Sequence, residues 1–103
     1  LMLKAFGVNL RCSPNEIKIE SGQSLSATSI QVPGDPSSAA FWFAAAALVP
    51  NSEIEIQNVS LNPTRTGFLK VLKRMGADIE TSESDSRNEP IGHVRVRSSQ
   101  SLR

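Results

Sequence analysis

The stretch Ala39-Ala40-Phe41-Trp42-Phe43-Ala44-Ala45-Ala46-Ala47-Leu48-Val49 has no polar residue on any side. Pro36 ahead of it and Pro50-Asn51 behind it delimit a helix over Pro36–Val49, since proline suits a first turn and stops a last one. A helix that is apolar all round is buried all round. The run falls well short of the ~20 residues needed to cross a bilayer, so its cover must be protein. The strands around it read the opposite way. Ile17-Lys18-Ile19-Glu20, Glu53-Ile54-Glu55-Ile56 and Val94-Arg95-Val96-Arg97 alternate strictly, so one face of their sheet meets water. Helices outside a buried parallel sheet would get both patterns backwards. Sheets outside with helices packed inside satisfies both, and the alanines let helices approach closely.

The chain also echoes itself. Ile17-Lys18-Ile19-Glu20-Ser21-Gly22-Gln23-Ser24-Leu25 returns as Val94-Arg95-Val96-Arg97-Ser98-Ser99-Gln100-Ser101-Leu102. Upstream of each copy is a matching helix end, Leu3-Lys4-Ala5-Phe6-Gly7-Val8 and Leu72-Lys73-Arg74-Met75-Gly76-Ala77. Such an echo marks stacked supersecondary units that bury their apolar faces on one another. The expected division is residues 1–28 as the end of a preceding unit, 29–98 as one complete unit, and 99–103 as the start of the next. The chain therefore reads as a piece of a larger protein.

Element by element, Leu1–Phe6 is a helix terminus with Gly7 as a left-handed cap. Val8–Cys12 and Glu16–Glu20 are strands joined by the turn residues Ser13-Pro14-Asn15. From Ser29 the predicted order is β-α-β-α-β-β. A strand at Ser29–Pro33 precedes the apolar helix, and a strand at Glu53–Gln57 follows it. Then come a helix over about Pro63–Met75 with Gly76 as its cap, a strand at Ala77–Thr81, a polar loop at Ser82–Pro90 and a strand at His93–Arg97. The second helix is amphipathic: Phe68, Leu69, Val71, Leu72 and Met75 are apolar, while Lys73 and Arg74 suit its negative end.

Composition excludes several classes of function. Net charge is +1, hydrophobic residues make up 39% and charged residues 20%. No basic stripe or array of stacking aromatics marks a nucleic-acid protein. The single cysteine, Cys12, excludes an internal disulfide framework and fits a reducing compartment. His93 is the sole histidine and has no cysteine or second histidine at ligand spacing, so no metal site is expected. Glu53 and Glu55 share a strand face but read as a solvated stripe, because nothing apolar nearby would raise a carboxyl pKa.

Two segments share a design in which a capping residue precedes proline: Asp35-Pro36-Ser37-Ser38 and Asn62-Pro63-Thr64-Arg65. Two good helix caps explain Asp35, Pro36, Asn62 and Pro63. They do not explain Arg65, a cation placed at the positive end of a helix dipole. Arg65 is therefore expected to pair with Asp35 or with a bound anionic group, and the hydroxyls of Ser37 and Ser38 add donors at the same place.

Val32-Pro33-Gly34-Asp35-Pro36-Ser37-Ser38-Ala39-Ala40-Phe41, Asn58-Val59-Ser60-Leu61-Asn62-Pro63-Thr64-Arg65-Thr66-Gly67-Phe68 and Met75-Gly76-Ala77-Asp78-Ile79 together resemble the EPSP synthase family, bacterial type. The resemblance covers about two thirds of the chain. It implies an α/β fold made of βαβαββ folding units, the inside-out α/β barrel of enolpyruvyl transferases, with sheets outside and helices inside. It implies a cytoplasmic enzyme that moves the enolpyruvyl group of phosphoenolpyruvate to the 5-hydroxyl of shikimate 3-phosphate, with no metal or organic cofactor. The implied partners are those two substrates and the remainder of the same polypeptide, with no nucleic acid and no membrane. Most family residues that grip the substrates lie outside this stretch, so no catalytic residue is assigned. Asp35, Ser37, Ser38 and Arg65 are the residues expected to face substrate. Two alternatives stay open: the sister UDP-N-acetylglucosamine enolpyruvyl transferase, which lacks the Asn-Pro-Thr-Arg-Thr-Gly run, and a non-catalytic repeat module of the same fold.

Overall fold

The computed structural model describes residues 1–84 and 89–99, and the chain divides into two compact units, Leu1–Gln31 and Val32–Arg103. The centre of the expected Ser82–Pro90 loop and the expected next unit beyond Ser99 lie outside the described residues.

The first unit holds a one-turn helix α1 (Met2–Ala5) and a hairpin of β1 (Leu10–Ser13) and β2 (Glu16–Ile19). Gly7 closes the helix at φ 86, with its own N–H on the Lys4 carbonyl at 3.0 Å and that of Val8 on Leu3 at 3.0 Å. That paired closure satisfies two carbonyls that a helix end leaves unpaired. The hairpin register runs from Leu10↔Ile19 to Ser13↔Glu16, which leaves Pro14-Asn15 as the turn.

In the second unit the elements are α2 (Pro36–Leu48), β3 (Glu53–Ser60), α3 (Gly67–Arg74), β4 (Asp78–Ser84) and β5 (Ile91–Arg97). The three strands form an antiparallel sheet in the order β3-β5-β4. Gly76 repeats the Gly7 closure at φ 100, with N–H bonds from Gly76 to Lys73 and from Ala77 to Leu72, both 3.0 Å. The sequence echo between the two helix ends is thus an echo of backbone geometry.

One face of the sheet is apolar. Ile79, Val94 and Val96 are buried there beneath Ala39, Phe43, Ala46 and Ala47 of α2 and Leu69 of α3. Phe43 is fully buried and stacks on Phe68 with ring centroids 6.1 Å apart. The other face is a lattice of charge. On the central strand Arg97 meets Glu53 and Glu80, each at 3.1 Å, and Arg95 meets Glu55 at 2.7 Å. Glu53 and Glu55 do face outward, but they are paired by register rather than simply solvated: Glu53 lies opposite Arg97 and Glu55 opposite Arg95. Gly92 sits on the inward side of β5, where an added Cβ would collide with the Ser82 carbonyl and the Leu61 side chain.

Four expectations are corrected. The strand expected at Ser29–Pro33 contracts to a single parallel bridge, Gly34↔Val59, held by Gly34 N–H on the Asn58 carbonyl (2.6 Å) and Ser60 N–H on the Gly34 carbonyl (3.0 Å). Pro33 and Pro36 have no N–H to extend the ladder. Second, α2 is buried along one stripe only; in this chain Phe41 is 80% exposed and Trp42 64%. Third, α3 begins at Gly67, not at Pro63. Asn62 and the threonines draw the backbone into a turn instead, because their side chains compete for the N–H and C=O groups a helix would use. Fourth, the strands run longer than their alternating cores: β4 reaches Ser84, β5 begins at Ile91, and β3 extends to Ser60 through a bulge at Asn58, whose φ is 56.

Candidate functional site

Asp35 is the N-cap of α2, extended at φ −74 and ψ 116. Its Oδ1 accepts from the Ser37 amide at 3.0 Å and its Oδ2 from the Ser38 hydroxyl at 3.0 Å. Pro36 at the first helical position has no N–H to satisfy, so these two bonds complete the cap. Arg65 reaches across from the turn after β3. Its Nη2 donates to Asp35 Oδ1 at 2.9 Å and to the Ser37 hydroxyl oxygen at 3.2 Å. The pairing expected of Arg65 is therefore present, although Arg65 lies in a turn and not in the first turn of a helix.

That turn is tightly held. The Arg65 N–H closes it on the Asn62 carbonyl at 2.8 Å. Asn62 Oδ1 accepts from the Thr64 amide at 3.0 Å and the Thr64 hydroxyl at 2.8 Å. Asn62 Nδ2 donates to Glu89 Oε1 at 2.9 Å, and the buried Ser60 hydroxyl reaches the same oxygen at 3.4 Å. Three segments thus meet: the start of α2, the turn after β3, and Glu89 just before β5.

A recess of about 500 Å³ opens between them, lined by Asp35, Arg65, Asn62, Thr64 and Glu89 among others, but by neither Ser37 nor Ser38. The hydrogen bond from the Ser37 amide, then that from the Ser38 hydroxyl, hold the Asp35 carboxyl below its ordinary range, with a smaller contribution from the Arg65 charge. The recess is half-exposed, with Asp35 and Arg65 side chains 50% and 54% accessible.

Other candidates remain minor. Cys12 is exposed on β1. His93 uses its Nδ1 to accept the Asn58 amide at 3.3 Å, which helps close the bulge in β3. Among the described residues no group of three or more His, Cys, Asp or Glu could hold a metal ion, and no helix is long and apolar enough to cross a membrane. Sequence reasoning missed Glu89 and the bracing role of Asn62. Glu89 sits at the end of a polar loop and becomes legible only when β4 and β5 pair and carry it to the turn. Asn62-Pro63 suggests a helix cap, but the Asn62 side chain caps a turn.

The family model described as EPSP synthase (3-phosphoshikimate 1-carboxyvinyltransferase) matches residues 1–99. The chain belongs to the EPSP synthase family. It is 56% identical over 99 residues to the 3-phosphoshikimate 1-carboxyvinyltransferase of Bacillus licheniformis and 52% identical over 99 residues to that of Bacillus subtilis (strain 168). Both alignments take in 95% of this chain and 23% of the relative, so the chain spans about a quarter of the length of these EPSP synthases. The solved EPSP synthase from Acinetobacter baumannii superposes with a TM-score of 0.87 at 40% identity, over 93% of this chain and 22% of that one. An EPSP synthase folding unit accounts for the mixed architecture, in which a charged sheet face lies opposite the helices.

Proposed function

We propose that this chain is part of an enzyme that transfers the enolpyruvyl group of phosphoenolpyruvate to the 5-hydroxyl of shikimate 3-phosphate and releases phosphate, in the cytoplasm and without a metal or organic cofactor. The observation that carries this reading is 56% identity to a 3-phosphoshikimate 1-carboxyvinyltransferase across 99 of the chain's 103 residues. In this reading residues 1–28 complete a preceding unit, 29–98 form a whole unit, and Asp35, Ser37, Ser38 and Arg65 lie toward the substrates. Shikimate 3-phosphate and phosphoenolpyruvate are the partners, together with the remainder of the polypeptide.

Magnitudes set the role of the segment within that enzyme. A capped helix terminus contributes ~1–2 kcal/mol at best to holding a negative group. Group transfer of this kind needs a barrier lowered by ~8 kcal/mol or more, through several positioned groups. The Asp35–Arg65 corner can orient and exclude; it cannot supply the reaction by itself. The 103-residue chain on its own is therefore expected to be inactive, and enolpyruvyl transfer by the purified chain would refute that.

The deciding experiment is phosphate release from phosphoenolpyruvate by the full-length protein, with shikimate 3-phosphate and then UDP-N-acetylglucosamine as acceptor. Release with shikimate 3-phosphate alone supports the proposal. Release with the nucleotide sugar would transfer the chain to the sister activity, and release with neither would leave a module of the same fold.

A further inference from the structure

We infer that Arg65 is a positioning residue that acts through Asp35, and that the Glu89–Asn62 contact sets Arg65. This rests on the proposal that Asp35 faces substrate. Arg65 Nη2 is committed to Asp35 at 2.9 Å and to Ser37 at 3.2 Å. An anionic substrate that took Arg65 through Nη2 would have to displace a carboxylate already in place. The recess offers little reason for it to do so, because among the described lining residues Asp35 and Glu89 outnumber the Arg65 guanidinium. A phosphate entering the recess meets a net negative lining, which disfavours it.

The geometry serves orientation instead. Asp35 has three donors on its two oxygens, from the Ser37 amide, the Ser38 hydroxyl and Arg65, which fix the plane of the carboxylate. Arg65 can supply its donor only if the turn projects it correctly, and that turn is closed by the Asn62 carbonyl and braced by the Asn62 side chain. Asn62 is in turn held by Glu89 at 2.9 Å. A relay runs from Glu89, just before β5, through the turn after β3 to the first turn of α2, with Asp35 at its end.

A double-mutant cycle in the full-length protein tests this, using Arg65→Ala, Asp35→Asn and the pair. The prediction is that Arg65→Ala raises the KM for shikimate 3-phosphate about two- to fivefold, the range an exposed ion pair carries, with kcat changed less. Arg65→Lys restores most of the loss, since one ammonium can serve both oxygens. Arg65→Ala adds nothing to Asp35→Asn. Effects that multiply in the double variant would mean that Arg65 acts on substrate independently and would overturn the inference. The same cycle is read on urea unfolding midpoints, a readout that needs no activity. If the wild-type protein releases no phosphate, the proposed function fails, and the midpoints then decide: non-additive shifts support the tie between Arg65 and Asp35, additive shifts overturn it.

Discussion

Phe43→Ala removes the largest fully buried side chain in the core. Transfer of the lost ring to water accounts for ~1.5–3 kcal/mol. The rest comes from the cavity left between the sheet and the Phe68 ring stacked at 6.1 Å, because neighbours such as Val94 and Val96 sit on hydrogen-bonded strands and cannot collapse into it. Together these give an expected loss of about 3–5 kcal/mol. Phe41→Ala is the matched control: the same residue type on the same helix, yet 80% exposed. In this chain it should change stability by no more than about 0.5 kcal/mol. Urea unfolding followed by far-ultraviolet circular dichroism measures both. A Phe43→Ala loss under about 1 kcal/mol, or a Phe41→Ala loss equal to it, would show that α2 presents a different stripe to the sheet and would refute the packing argument.

Two further outcomes follow from the geometry. Gly92→Ala should cost about 1–3 kcal/mol, seen as a lower unfolding midpoint, because the obstructing atom is the Ser82 backbone carbonyl rather than a flexible side chain. For Asp35 the folded carboxyl is held below its ordinary value of 3.8, so its ionised form contributes stability above that value, and the contribution is lost as pH falls through the folded value. The stability difference between the wild type and Asp35→Asn, which still caps the helix, should therefore be present near neutral pH and fade as pH falls below 3.8. A difference independent of pH would assign it to something other than the charge.

Much of this fold is written in short-range signals. The alternation of Ile54 and Ile56 with Glu53 and Glu55 gives the strand and its buried face, and Gly7 and Gly76 mark helix ends because only a left-handed residue closes them cheaply. What was illegible depends on contacts distant in sequence. The stripe that α2 buries cannot be read from a helix apolar on every side; it is chosen by the strands beneath it. The start of α3 was misplaced because Asn62-Pro63 fits a helix cap and a turn equally well, and the partner that favours the turn, Glu89, lies in another segment. The Arg65–Asp35 pair was half legible: a cation expected at a helix start called for Asp35 or a bound anion, and the pair forms although Arg65 sits in the turn ahead of α3.

The crowding at Gly92 bears on how this sheet finds its alignment. A one-residue slip of β5 would turn Val94 and Val96 to water, which burial forbids. A two-residue slip toward the Gly92 end keeps them inside and still sets Arg97 against Glu55 and Glu80, so burial and charge reject it only in part. It would, however, carry the Val94 side chain to where Gly92 now lies, against the Ser82 carbonyl and Leu61. Against a slip in that direction, alignment is thus guarded by a side chain that is missing, a keyhole into which only one residue of β5 fits.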